Sequence, residues 1–272
     1  LRYYSNARAR NRTQITRHPG VAQGVIFVMP FTPAPLQQLQ FSKKISEDDW
    51  MYKGKTSYGY FLRGYDALLT IANIMHTATV KPRDVLDFGC GHGCVSRMLK
   101  AQYPQATIVG QDVNQAWLDW CSDNLGIETI LSEAHIRSVS VDQGSYDLIW
   151  VGSVFTHIPE QSFDYLLDVL VSGLKERGIL IFTTAGEMVR ASFDVNNEKL
   201  LAVEDAKKAV YDYDERGYGF APYTGGTYSD WGRAMVRFSR VYEKVKLHPV
   251  RLVSFLESGW GRRQDIYAVQ RV

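Results

Sequence analysis

Apolar positions along the chain change their spacing partway through, and that change marks out the architecture. From Tyr58 to His76 they recur at helical intervals (Phe61, Leu62, Tyr65, Leu68, Leu69, Ala72), which predicts an amphipathic helix. Beyond it the pattern becomes strand, loop and helix, repeated. Val85-Leu86-Asp87-Phe88 reads as a buried strand, Val95 to Tyr103 as a helix, and Thr107 to Gln111 as a strand ended by Asp112. Asn114 then caps a helix reaching about Leu125, because its short side chain can accept from the free amides of a first turn. A weaker strand is predicted at Thr129 to Leu131, strands at Tyr146 to Val151 and Gly178 to Thr183, and a helix from Pro159 to about Leu174. This alternation predicts an α/β fold, a mostly parallel sheet covered by helices on both faces. Val250 to Leu256 and Asp265 to Val272, separated by Ser258-Gly259-Trp260-Gly261, read as a closing hairpin.

Two regions lack such periodicity. Residues 1–57 carry Met29-Pro30-Phe31-Thr32-Pro33-Ala34-Pro35, which blocks helix and central strand alike, and read as an arm or lid. Residues 184–235 are rich in Gly, Tyr and Asp, with a helix expected near Asn197 to Val210, and read as an insert facing the substrate in a domain spanning 58–272.

Composition narrows the picture. At 272 residues and 45% apolar content the chain can bury one substantial core. No apolar run approaches the roughly 20 residues of a membrane span. Cys90, Cys94 and Cys121 form no even disulfide framework, so a reducing cytoplasm is expected. The net charge of +2 hides an asymmetry, since residues 1–46 hold seven Arg and Lys and no acid. A basic arm can touch nucleic acid, lipid or an acidic partner, or remain a solvated terminus. The body downstream is mildly acidic, which argues against nucleic acid as substrate.

The chemistry sits in Asp87-Phe88-Gly89-Cys90-Gly91-His92-Gly93, which follows a predicted strand and opens a helix. Glycine there lets the backbone turn sharply and lets a ligand approach main-chain atoms. A dinucleotide loop would read G-x-G-x-x-G, but Cys94 stands where the third glycine belongs, so NAD is disfavoured. The loop lacks the Lys-Ser/Thr ending of a nucleotide-triphosphate loop. No histidine pair has a metal-ligand spacing such as H-E-x-x-H; His18, His76, His135 and His248 are scattered, and no metal is expected.

D-x-G-x-G-x-G resembles motif I of the class I S-adenosylmethionine-dependent methyltransferases, and Asp112 follows Gly93 by nineteen residues at the end of the second strand. Tyr146 to Pro159, with its ending Ser153-Val154-Phe155-Thr156-His157-Ile158, is similar to the fourth-strand region of the type-11/type-12 methyltransferase group. Gly259-Trp260-Gly261-Arg262-Arg263-Gln264-Asp265 resembles members found beside glycosyltransferases in surface-polysaccharide pathways. The resemblance implies a Rossmann-like seven-stranded sheet with a C-terminal antiparallel hairpin. It also implies S-adenosylmethionine as methyl donor and S-adenosylhomocysteine as product. The residues it assigns to the cofactor are Asp87, Gly89, Cys90, Gly91, Gly93, Asp112, Val113, Glu133 and Ser153. Asp112 would accept from both ribose hydroxyls, Asp87 would lie near the methionine amino group, and Glu133 would meet the adenine or stay solvated.

Methyl transfer from a sulfonium needs the acceptor about 3 Å from the methyl carbon and in line with the C–S bond. A hydroxyl acceptor gains from a general base, and His157, just past the fourth strand, is the candidate; the alternative is a histidine that only orients the loop. Tyr58 and Arg63 on the first helix, Tyr223 in the insert, and Trp260 and Arg263 near the C-terminus are the candidate acceptor contacts. The insert's aromatics Tyr213, Tyr218, Phe220, Tyr223, Tyr228 and Trp231 either stack on an acceptor or pack the insert onto the body. The expected activity is O-methylation of a hydroxyl on a glycan, glycolipid or small molecule, with a glycosyltransferase as a candidate partner. N- or carboxyl-methylation and a silent cofactor-binding scaffold are the alternatives.

Overall fold

A computed structural model of the protein describes residues 33–53, 56–196, 199–225 and 230–272. The arm residues Arg2, Arg8, Arg10, Arg12 and Arg17, and Tyr228 of the insert, lie outside them. Helix α1 (Ser57–Thr77) begins where Thr56 accepts from the Gly59 amide at 3.1 Å, and buries Tyr60, Ala67, Leu68, Ile71 and Met75 along one stripe. Then follow β1 (Asp84–Phe88), α2 (Ser96–Gln102), β2 (Thr107–Asp112), α3 (Gln115–Leu125), β3 (Glu128–Leu131), β4 (Tyr146–Val151), α4 (Glu160–Gly173) and β5 (Leu174–Ala185). Asn114 caps α3 as its side chain predicts, accepting from the Trp117 amide at 3.3 Å, and Gly126 in the left-handed region ends that helix.

The seven-stranded sheet has the order β3-β2-β1-β4-β5-β9-β8, where β8 is Val250–Trp260 and β9 is Gln264–Arg271. Strands β1 to β5 run parallel, and β9 lies antiparallel to both β5 and β8. Helices α1, α2 and α3 cover one face through Leu68, Met98 and Cys121, and α4 covers the other through Phe163, Leu166 and Leu170. Each buried Leu, Ile or Phe side chain contributes about 1.5–3 kcal/mol, so these two layers dominate the stability of the sheet. The order reverses at β1, flanked by β2 and β4, and in open α/β sheets ligands bind outside the strand ends at such a point.

The insert differs from its sequence reading. Its main helix, α6 (Val203–Arg216), starts later than expected, after the short α5 (Glu187–Ala191). It packs on an unforeseen two-stranded sheet of β6 (Tyr218–Pro222) and β7 (Gly232–Val236), followed by α7 (Phe238–Val245). Tyr213 and Tyr218 are core residues here and present no stacking face. The C-terminal turn also moves: β8 continues through Trp260 after a register shift between Leu256 and Trp260, and residues 261–263 make the turn.

Candidate active site

The loop between β1 and α2 is folded by its glycines. Gly89, Gly91 and Gly93 all have positive φ, at 73°, 53° and 68°. A Cβ on Gly89 would come 2.4 Å from Val154 Cγ2, and one on Gly93 would come 2.3 Å from Leu125 Cδ1. A Cβ on Gly91 would meet nothing within 4 Å. The first and third glycines are therefore demanded by the protein's own packing, whereas Gly91 faces open space that a ligand can approach.

Asp112, at the end of β2, accepts from the Gly91 amide at 2.9 Å and from the Asn114 amide at 3.2 Å. Burial pushes its carboxyl above the ordinary range, and these amides oppose the shift. A carboxylate has about four acceptor positions, so capacity remains for a further donor. Asp87 is fully buried at the end of β1 and accepts from Ser96 Oγ at 2.5 Å. Burial raises its pKa to about 7, reinforced by the charge of Asp112 and opposed by the Ser96 bond.

Beside Asp112 lies a narrow cleft lined by Phe88, Gly89, Val113, Ser132, Val154 and Trp231, among others. Ser132 Oγ and Trp231 Nε1 are both buried and have no hydrogen-bond partner among the described residues. Unpartnered buried polar atoms are costly, and two in one cleft fit a polar, planar ligand such as a purine nucleoside. Glu133, the residue expected there, is exposed; its neighbour Ser132 faces the cleft instead. The hydrogen bond with the Cys121 thiol, and then burial, push the Cys90 thiol well up, and burial pushes Cys94 up to about 12, so both remain neutral.

The loop is braced from behind by Arg97, a buried cation on α2 that sequence reasoning missed. Its guanidinium donates to Gly93 O and His92 O in the loop, to Ser42 O and Lys44 O, and to Tyr60 Oη of α1. Residues 33–53 are thereby packed onto the body, with Leu39 and Asp49 buried and Asp49 accepting from Tyr60 Oη at 2.6 Å.

His157 lies past β4, and β7 runs beside it: Gly232 N donates to His157 O and Ala234 N to Thr156 O, both at 2.8 Å. His157 Nδ1 is 2.9 Å from Gly232 O and 2.8 Å from Tyr223 Oη. The Gly232 carbonyl can only accept, so its contact is a hydrogen bond in the tautomer that carries the proton on Nδ1, shared with Tyr223 Oη as a second acceptor and leaving the Nε2 lone pair free. Burial lowers the imidazole pKa, the Gly232 bond opposes this, and the charge of Arg233 adds to the lowering. Trp231 stacks on the ring at 6.0 Å between centroids. Ser153 has a φ of 68°, and its hydroxyl accepts from Gln264 Nε2 at 3.0 Å and lies 3.2 Å from Thr156 Oγ1. Strain of this kind at the end of a parallel strand is characteristic of sites that bind or react.

The candidate acceptor contacts separate. Tyr223 joins His157. Trp260 is buried, packs edge-on against Trp150 with centroids 5.5 Å apart, and donates to Arg63 O at 3.1 Å, so it is a core residue and no part of an acceptor wall. Arg63 lies on α1 against the β8–β9 turn, while Tyr58 and Arg263 are exposed at the same end of the sheet. Among the described residues no three His, Cys, Asp or Glu are grouped to hold a metal, and no helix is long and apolar enough to cross a membrane.

This sheet, with its glycine loop and acidic second strand, defines the class I S-adenosylmethionine-dependent methyltransferase fold. Residues 85–178 match the family model of a methyltransferase domain, and the chain carries a domain of that class. Over 109 residues it is 31% identical to malonyl-[acyl-carrier protein] O-methyltransferase of Legionella pneumophila, covering 39% of this chain and 38% of that one. Over 101 residues it is 32% identical to trans-aconitate 2-methyltransferase of Rhodopseudomonas palustris, covering 36% and 37%. The chain thus spans less than half the length of these curated relatives. An S-adenosylmethionine-dependent methyltransferase structure from Clostridium acetobutylicum superimposes with a TM-score of 0.53 at 15% identity, over 79% of this chain and 99% of that one. One from Methanosarcina mazei gives 0.52 at 14% identity, over 73% and 97%. These two likenesses concern the fold.

Proposed function

We propose that the protein transfers a methyl group from S-adenosylmethionine to an oxygen of a small-molecule or glycan acceptor, with His157 as general base. The observation that carries this reading is the place of His157 past the carboxyl end of β4 with Nδ1 2.9 Å from Gly232 O, a contact that favours the tautomer with the lone pair on Nε2. The cofactor supplies an electrophilic methyl on a sulfonium with a neutral leaving group. Asp112 would hold the ribose hydroxyls, Val113, Ser132 and Trp231 would bound the nucleoside, and Gly91 would leave the cofactor room to approach. Asp87 and the Gly89–Gly93 backbone face the amino-acid end. His157 Nε2 would take the proton that the acceptor hydroxyl gives up as its oxygen gains the methyl and the sulfur leaves neutral. Ser153, Thr156 and Gln264 fix the loop that presents His157.

A second reading, methylation of a carboxylate, is favoured by the names of the relatives, since malonyl groups and trans-aconitate are carboxylic acids. A carboxylate needs no base. Turnover of the wild type and His157→Ala with hydroxyl and carboxylate acceptors separates the two readings, because only the first loses activity. A glycosyltransferase partner rests on the sequence resemblance, and a cytoplasmic location on the three cysteines that form no even disulfide framework.

A further inference from the structure

A second cleft opens at the same end of the sheet, between α1 and the β8–β9 turn. It is lined by Gly59, Leu62, Arg63, Asp66, Gly261 and Arg262. The turn is fastened to the helix at two points: Asp66 Oδ2 accepts from the Gly261 amide at 3.0 Å, and Trp260 Nε1 donates to Arg63 O. The Arg63 guanidinium lies directly on the turn, since a Cβ on Gly261 would come 1.4 Å from its Nη1. Arg262 follows with a φ of 58°, a conformation that branched or long side chains rarely adopt.

The charges in this cleft do not balance. Arg190, Arg237 and Arg240 each pair with a carboxylate, on Asp214, Glu187 and Glu160. The guanidinium groups of Arg63 and Arg262 have no carboxylate partner among the described residues, and Arg263 beside them is exposed. Asp66, the one acid in the cleft, accepts from the turn and leaves two guanidinium groups against one carboxylate. The excess positive charge favours a further anion beside the two guanidinium groups, whose planar forks match carboxylate or phosphate oxygens.

We propose that this cleft binds an oxyanion, a carboxylate or phosphate group, carried by the acceptor away from the oxygen that is methylated. The inference rests on the methyltransferase reading above and adds a substrate class to it: the acceptor is anionic. Its place supports the role, because the turn leads within two residues to Gln264, whose amide holds Ser153 in the loop that presents His157. Leu62 supplies an apolar wall beside the two cations, which suits an anionic group on a carbon skeleton.

The test is thermal unfolding of the whole chain in sodium phosphate, sodium malonate or sodium chloride at one ionic strength, for the wild type and the Arg63→Gln/Arg262→Gln variant. Calorimetric titration of both proteins with S-adenosylhomocysteine runs alongside. We expect at least one oxyanion to raise the wild-type midpoint over chloride by about 2 to 4 °C at tens of millimolar. That shift is lost in the double variant, whose cofactor affinity is unchanged, and the more effective anion identifies the group. An equal shift in both proteins, or none in the wild type, overturns the proposal. An oxyanion shift confined to the wild type without any cofactor binding would instead sink the methyltransferase reading and leave the anion site standing. If the double variant does not fold, Arg262→Gln on the turn carries the same comparison.

Discussion

The Nδ1 atom of His157 lies 2.9 Å from the carbonyl oxygen of Gly232. One residue earlier, Trp231 lines the narrow cleft beside Asp112. The first residue of β7 and the residue just before it thus reach His157 and the cleft beside Asp112 respectively.

If His157 is the general base, His157→Ala lowers kcat on a hydroxyl acceptor by about 10²- to 10⁴-fold and leaves S-adenosylhomocysteine affinity within about twofold. The imidazole is held below its ordinary value, chiefly by burial. The acidic limb of the wild-type kcat/KM profile is therefore expected below about pH 6.5. A limb above that value, or full turnover in the variant, contradicts the role.

The loop glycines separate packing from ligand access. Gly89→Ala and Gly93→Ala place a methyl group against Val154 and Leu125, and each is expected to destabilise the fold by about 2 kcal/mol or more. Gly91→Ala meets no neighbour and costs only about 1 kcal/mol of backbone strain, yet should weaken cofactor binding at least tenfold. Denaturant unfolding together with titration checks both halves of this contrast.

Burial raises the pKa of Asp87 from 3.8 to about 7. The folded protein therefore keeps a proton that the unfolded chain releases, and the stability this group contributes is present below about pH 4 and lost as pH rises toward 7. Unfolding midpoints are expected to fall over that window and to fall less in Asp87→Asn. If the cofactor's ammonium binds beside Asp87 it favours the carboxylate, so titrations near pH 7 in buffers of different ionisation enthalpy should show proton release.

Two tryptophans should respond in opposite ways. Trp260→Ala removes a buried side chain packed on Trp150 and is expected to cost about 3–5 kcal/mol of stability. Trp231→Phe keeps a ring against His157 but removes the indole N–H from the cleft. It should weaken cofactor binding about five- to twentyfold, the worth of one buried hydrogen bond, with little change in stability.

Much of the frame is legible from local signals. The strand run Val85 to Phe88, the glycines that follow and the acid that ends β2 are close in sequence, and their spacing carries the turn geometry directly. Asn114 caps its helix because the capping bond is local as well. What stays hidden depends on distant contacts. Trp260 sits in Ser-Gly-Trp-Gly, which reads as a turn, but pairing with Gln264 across a bulge carries the strand onward and buries the indole. Strands β6 and β7 are five residues each, with little alternation, and the bonds from β7 to the loop at Thr156 and His157 span some 75 residues. Ser132 in place of Glu133 is a matter of which side of β3's end faces the cleft, which spacing alone does not decide.

The central claim, a methyl-donor site built on Asp87 to Gly93 and Asp112, is tested most directly by calorimetric titration of the wild type and Asp112→Ala with S-adenosylhomocysteine, with NAD as control. Micromolar binding by the wild type, weakened at least about tenfold in Asp112→Ala and absent with NAD, is the predicted result. No binding by the wild type, or equal binding by both proteins, would contradict it.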